Sequence, residues 1–217
     1  MKSTIYILSG LGADKRVFRN IDFGNNDIVH IDWILPFKKE KLKDYCKRIS
    51  LQITSENPIL IGLSFGGIIA LEISRLIKVK RVILISSAKT KYEIPFYYRF
   101  AGKLYLHKLL PSKLMRKSNK LTNWLFSVET REEKDLLNSI LNETEPIFLK
   151  WAIDKIVSWE NAENHSNISH IHGTSDKILP YKYVQNITLV INGGHFMVLN
   201  KADEISLYIL NKINTNN

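Results

Sequence analysis

The chain has one cysteine, Cys46, among its 217 residues, so no disulfide can close within it. It has no apolar run approaching the roughly 20 residues that span a bilayer, and Ile5 to Leu8 is too short for the core of a secretory signal. A cytoplasmic protein with no membrane partner is therefore expected. Acidic residues are also few, 21 against 31 lysines and arginines, for a net charge of +10. The lysines nevertheless run through the whole chain, without the basic stripe or motif that nucleic-acid binding requires, and no nucleic-acid partner is expected. The acid deficit is sharpest from Arg99 to Lys120. There Arg99, Lys103, Lys108, Lys113, Arg116, Lys117 and Lys120 alternate with Leu104, Tyr105, Leu106, Leu109, Leu110, Leu114 and Met115, and Pro111 interrupts them. An anionic substrate, a membrane surface and a plain solvated face all fit such a stretch.

What the chain does have is alternation. Apolar, β-branched segments predict strands over Thr4–Leu8, Asp27–Ile31, Ile59–Ile61, Arg81–Ile85, Ser169–His172 and Ile187–Ile191. Helical spacing predicts helices over Lys39–Ser55, Gly67–Leu76 and Ala202–Ile213. The result is an α/β protein with a mostly parallel sheet of about six strands flanked by helices. With 45% hydrophobic side chains, a chain of this length buries one substantial core. Residues 88–162 break the alternation, containing helical spacing over Glu132–Asn142 and Pro146–Trp159 and many aromatics. This stretch is expected to form a helical cap inserted between core segments 1–87 and 163–217. Cys46 falls with Leu42, Tyr45 and Ile49 on one helical face and reads as a core residue.

The chemistry concentrates at Gly62-Leu63-Ser64-Phe65-Gly66, where a strand turns sharply into a helix. Gly62 and Gly66 flank Ser64 because a Cβ at either position would meet the neighbouring strand or helix, and a turn this tight lifts the Ser64 hydroxyl clear of the backbone. A nucleophilic serine needs a base, an orienting acid and an oxyanion hole. His195 follows a strand and the turn Gly193-Gly194, placed to lean over a sheet edge. Asp176 ends another short strand, between serine and histidine in the chain; Asp14 and Asp32 are the alternatives if the acid lies elsewhere. His170 and His172, alternating with Ile171, read as strand residues rather than metal ligands, since no carboxylate or cysteine cluster accompanies them. The loop Ser9-Gly10-Leu11-Gly12 after the first strand gives a Gly-x-Gly, but Lys15 stands where a nucleotide loop would need its third glycine. No cofactor or metal is expected.

Together these segments resemble the α/β-hydrolase family: Ser9-Gly10-Leu11-Gly12 in place of its oxyanion loop, Gly62 to Gly67 as its nucleophile elbow, His172 to Asp176 as its acid loop and Gly193-Gly194-His195-Phe196 as its histidine loop, in the family order Ser, Asp, His. Ser9 stands where the family usually has histidine, and the family's two leading strands have no counterpart. The resemblance implies backbone N–H groups of Leu11 and Phe65 as the oxyanion hole, and Ser64, Asp176 and His195 as the catalytic residues. Serine at the elbow separates the chain from the dehalogenase and epoxide hydrolase branches, which place aspartate there. The implied activity is hydrolysis of a carboxylic ester or thioester with a small apolar or aromatic acyl group. A non-hydrolytic relative, either a lyase using the triad for proton transfer or a ligand-binding module, is the alternative.

Overall fold

The computed structural model describes residues 3–11, 13–109, 116, 118–163 and 167–215. Gly12 of the first loop, and Leu110, Pro111, Lys113, Leu114, Met115 and Lys117 of the basic stretch, lie outside the described residues. Six strands form one sheet: β1 (Thr4–Leu8), β2 (Asp27–His30), β3 (Ile59–Leu63), β4 (Arg81–Ile85), β5 (Ile168–Gly173) and β6 (Thr188–Val190). Their order is β2-β1-β3-β4-β5-β6 and every pairing is parallel. The strands match the predicted segments to within two residues at each end.

Strand periodicity divides the core between the two faces of the sheet. Ile5, Ile7, Ile59, Ile61, Ile83, Ile85 and Ile171 pack on one side, and Tyr6, Leu8, Leu60, Val82 and Leu84 on the other. β3 is buried along its whole length, as a central parallel strand should be, which is why it reads as a continuous apolar run. The second face is covered by α1 (Leu42–Ile49) and α2 (Phe65–Ser74), the first by α8 (Ala202–Asn214). Cys46 is fully buried under α1, and burial, with Glu72 and Glu40 nearby, pushes its thiol well above the ordinary value, leaving it inert. The helix predicted from Lys39 begins only at Leu42, because Lys39 sits at φ 61°, outside helical geometry. Its last predicted turn tightens into a 3₁₀ turn at Ser50–Gln52.

Between β4 and β5 lie α3 (Phe96–Lys103), α4 (Lys120–Phe126), α5 (Arg131–Glu143) and α6 (Pro146–Val157). Thr130 and Glu133 form a reciprocal capping box at the start of α5, and Pro146 occupies the first turn of α6, where its missing N–H costs nothing. Leu137, Ile140 and Leu141 of α5 join the first apolar cluster, while Phe148, Trp151 and Ala152 of α6 join the second. Trp151 also donates its indole N–H to the Glu40 carbonyl, 3.0 Å away. A short helix, α7 (Met197–Asn200), precedes α8.

Candidate active site

Strand order reverses between β1 and β3. The chain leaves β1 for the outer strand β2 and returns across β1 to β3, so the loops after β1 and β3 diverge and open a crevice at their carboxyl ends. Leu8 pairs with Gly62 there. Ser64 follows β3 at φ 51°, ψ −118°, a conformation that a residue with a Cβ adopts only under strain, and α2 begins at the next residue. The surroundings hold it in place. Its N–H donates to the Ile85 carbonyl at 2.9 Å, and its own carbonyl accepts from the Gly67 N–H at 2.9 Å and the Ser87 hydroxyl at 2.7 Å. The two glycines predicted to allow the turn do so at measurable margins. A Cβ on Gly62 would lie 2.4 Å from the Gly67 Cα, and one on Gly66 would lie 2.2 Å from the Leu8 carbonyl oxygen.

Ser64, His195 and Asp176, 131 and 19 residues apart along the chain, meet in this crevice. The Ser64 Oγ lies 2.9 Å from His195 Nε2, and His195 Nδ1 lies 2.8 Å from Asp176 Oδ2. The other carboxylate oxygen accepts the N–H groups of Ile178 and Leu179 at 2.9 and 2.8 Å. Burial pushes the Asp176 carboxyl up, but His195 and His172 outweigh it and hold the group well below the usual carboxylate range. An ionised Asp176 accepts a hydrogen bond from the N–H at His195 Nδ1, which leaves the Nε2 lone pair facing the serine. The alternative acids do not take this place. Asp14 is bound by Arg16 at 2.6 Å, and Asp32 is exposed on the loop after β2.

The Ser9–Leu11 loop lies directly against the serine, since a Cβ on Gly10 would be 3.2 Å from the Ser64 Cβ. The turn from Gly10 carbonyl to Ala13 N–H puts Leu11 at its tip. Phe65 is the first residue of α2, and its N–H belongs to the opening turn of the helix, where no carbonyl of the same helix can accept it. Ser9 accepts the Trp33 indole N–H on its hydroxyl at 3.1 Å. Trp33 then packs on Phe65 and Phe148, with ring centroids 5.7 and 5.2 Å away.

Three contributors went unrecognised in the sequence. Phe126, the last residue of α4, sets its ring edge-on to His195 at 5.8 Å, and its carbonyl accepts the Phe196 N–H. No spacing announces it, because it comes from a short helix between β4 and β5. Trp33 stands just beyond the carboxyl end of β2, and strand order alone could have marked it as a neighbour of the β1 loop. His172 donates from Nε2 to the Leu179 carbonyl at 2.7 Å while lying 3.4 Å from Asp176 Oδ2, which fixes the turn that carries the acid.

His172 Nδ1 faces His170 Nε2 at 3.3 Å, and His170 Nδ1 is buried without a hydrogen-bond partner among the described residues. Burial, then His172 and Lys89, hold His170 well below its ordinary pKa, against a smaller pull from Asp176, so it is neutral in the folded chain. The unfolded chain protonates this residue as pH falls through about 6.5, so its stabilising contribution is complete above that pH and lost progressively below it. Asp176 acts with the same sign in a lower window, beginning near pH 4. His170→Gln should therefore flatten the fall of Tm between pH 7.5 and 5, removing up to about 1.4 kcal/mol of stability change per pH unit. Thermal unfolding across that range checks it, and parallel curves for both proteins would assign the acid sensitivity elsewhere.

No protein-family model and no curated protein matches the chain. Solved structures do. A hydrolase from Oleispira antarctica superposes with a TM-score of 0.71 at 15% identity, over 100% of this chain and 92% of that one. A lipase-esterase related protein from Clostridium acetobutylicum gives 0.69 at 17%, over 96% and 93%, and a bromoperoxidase from Bacillus anthracis gives 0.67 at 14%, over 99% and 93%. The chain has the α/β-hydrolase fold.

Proposed function

We propose that the protein is a serine hydrolase acting on a carboxylic ester or thioester. The observation that supports this most is the continuous hydrogen-bonded line from a strained serine through His195 to a buried, ionised Asp176. In this reading His195 Nε2 takes the Ser64 proton as Oγ attacks the substrate carbonyl carbon. The N–H groups of Leu11 and Phe65 hold the resulting oxyanion. Collapse expels the alcohol or thiol, which receives the proton from His195. A water, deprotonated in turn by His195, attacks the acyl-serine, releasing the acid and restoring the Ser64 hydroxyl. Asp176 stays ionised throughout and holds the imidazole in its working tautomer.

Residues 88–162 act as the cap in this proposal. A cavity of about 440 Å³ opens beside the serine, between the Gly10 loop and α5 and α6, with an apolar wall from Trp33, Ile34, Ile140 and Phe148. Neither Ser64 nor His195 lines it, but Gly10 touches both cavity and serine, so an acyl chain held at Ser64 runs into it. Asp14, Glu143 and Glu145 also line it, with Arg16 bridging the first two at 2.6 Å each, which favours a neutral acyl group over an anionic one. Labelling by a fluorophosphonate probe and turnover of p-nitrophenyl esters of graded chain length test the proposal together, and labelling without turnover would favour a non-hydrolytic use of the site. Each methylene entering the cavity should raise kcat/KM about fourfold, from about 0.8 kcal/mol of burial, until the cavity is filled. Trp33→Ala, which removes a wall, should move the preferred ester to a longer chain, and an unchanged chain-length profile would place the acyl group elsewhere.

A further inference from the structure

α3 is built the wrong way round for a helix of a self-contained domain. Gly102 packs against Val157 of α6, and Tyr98 packs beside the second apolar cluster. The largest apolar side chains point outward. Phe96, Phe100 and Leu104, at successive i,i+4 positions, are 70%, 62% and 53% exposed, and beyond α3 Tyr105 and Leu109, on the linker and the 3₁₀ turn Leu106–Leu109, are 60% and 78% exposed. Arg99, Lys103 and Lys108 flank the stripe. Two acids lie close by, both engaged: Glu160 with Lys91, and Asp154 with His107, Lys108 and Lys155. Along the chain no aspartate or glutamate occurs from residue 94 to 128, a span with seven lysines and arginines against a net charge of +10 for the whole protein.

We propose that the stripe from Phe96 to Leu109 docks on an anionic lipid surface, with its aromatic and leucine side chains at the headgroup boundary and its cations among the acidic headgroups. This departs from the expectation, drawn from the lack of a spanning segment, that the protein has no membrane partner; docking needs no span, and among the described residues no helix is long and apolar enough to provide one. A second copy of the chain is the poorer occupant. A two-fold contact would set these cations against their own copies with no acid of the segment to oppose them. Single-stranded nucleic acid is poorer too, since Leu104 and Leu109 interrupt the exposed aromatics and the concavity beside them, lined by Arg99, Lys103 and Lys108, also holds Asp154 and Glu160 against a phosphate backbone.

The test is co-sedimentation of the full chain with vesicles of phosphatidylcholine alone and with phosphatidylglycerol added. Binding to the anionic vesicles should be at least ~10-fold tighter and should weaken steeply with added salt as the Debye length falls from about 30 Å at 0.01 M to about 3 Å at 1 M. Arg99→Gln with Lys103→Gln should weaken binding about 25-fold, fivefold per cation. Phe96→Ser with Phe100→Ser should weaken it ~10-fold or more while leaving circular dichroism and Tm unchanged, because both rings are already in solvent. Equal binding to both kinds of vesicle, no binding to either, or serine variants that bind like the parent would overturn the proposal. So would a dimer that the serine variants dissolve while vesicles stay unbound, which would assign the stripe to self-association.

Discussion

Ser64→Ala is expected to abolish both fluorophosphonate labelling and ester turnover, with a loss on the order of 10⁶ in kcat, the scale known for a serine nucleophile elsewhere. The fold should survive. The side chain's recorded hydrogen bond is to His195, while the strained backbone is held through its N–H and carbonyl, which alanine retains. The stability is therefore expected to change by no more than ~0.5 kcal/mol, as for a substitution that removes no packing. His195→Ala should lose about as much activity as Ser64→Ala, and the double variant little more, because residues that act as a unit do not contribute additively. Turnover within tenfold of the parent in Ser64→Ala would remove the serine from its role.

Asp176→Asn is expected to cost on the order of 10⁴ in kcat while leaving KM nearly unchanged. An amide in this position presents either an oxygen that accepts from Nδ1 or an NH₂ that donates to it. The second choice turns the imidazole to the tautomer whose Nε2 carries a proton and cannot take the one on Ser64. The same variant also reads out folding. Its carboxylate accepts three donors, the Ile178 and Leu179 amides and His195, with His172 Nε2 3.4 Å from Oδ2. Replacing the carboxylate should lower Tm at neutral pH, and the deficit should shrink as pH falls below about 4, where the unfolded parent takes up a proton that its folded carboxylate still refuses. A crippled Asp14→Asn or Asp32→Asn beside a near-neutral Asp176→Asn would mean that another acid orients the base.

Much of this arrangement was legible in the sequence because the same residues carry the local and the global signal. Parallel strands buried on both faces leave continuous β-branched runs, and Arg81–Ile85 and Thr4–Leu8 emerge with the boundaries predicted for them. Ser64 was legible because the glycines its turn requires bracket it. His195 and Asp176 were legible because each ends or follows a strand, and in a parallel sheet those ends share one side. The insertion was legible only in part. α5 and α6 bury one apolar face each and so show helical spacing, whereas α3 turns its apolar stripe outward and α4 is seven residues long. The contacts of Phe126 and Trp33 depend on how the insertion and the β2 loop fold back over the crevice, a long-range matter that no local pattern records.

The sharing of both apolar clusters by the helices between β4 and β5 has a consequence for how new specificities arise on this scaffold. Ile140 and Phe148, which wall the cavity, are also core residues of α5 and α6, packed in the clusters that cover the two faces of the sheet. Reshaping the cavity at these positions therefore opens a void in the interior, at a cost of about 2–5 kcal/mol for a large-to-alanine change against a total stability of roughly 5–15 kcal/mol. Trp33 is only half-buried, packing on Phe65 and Phe148 at the margin of the second cluster, so replacing it costs less than emptying a fully buried site. The cavity can therefore change shape at lower cost through the loop after β2 than through the helices between β4 and β5, the reverse of what a detachable lid would allow.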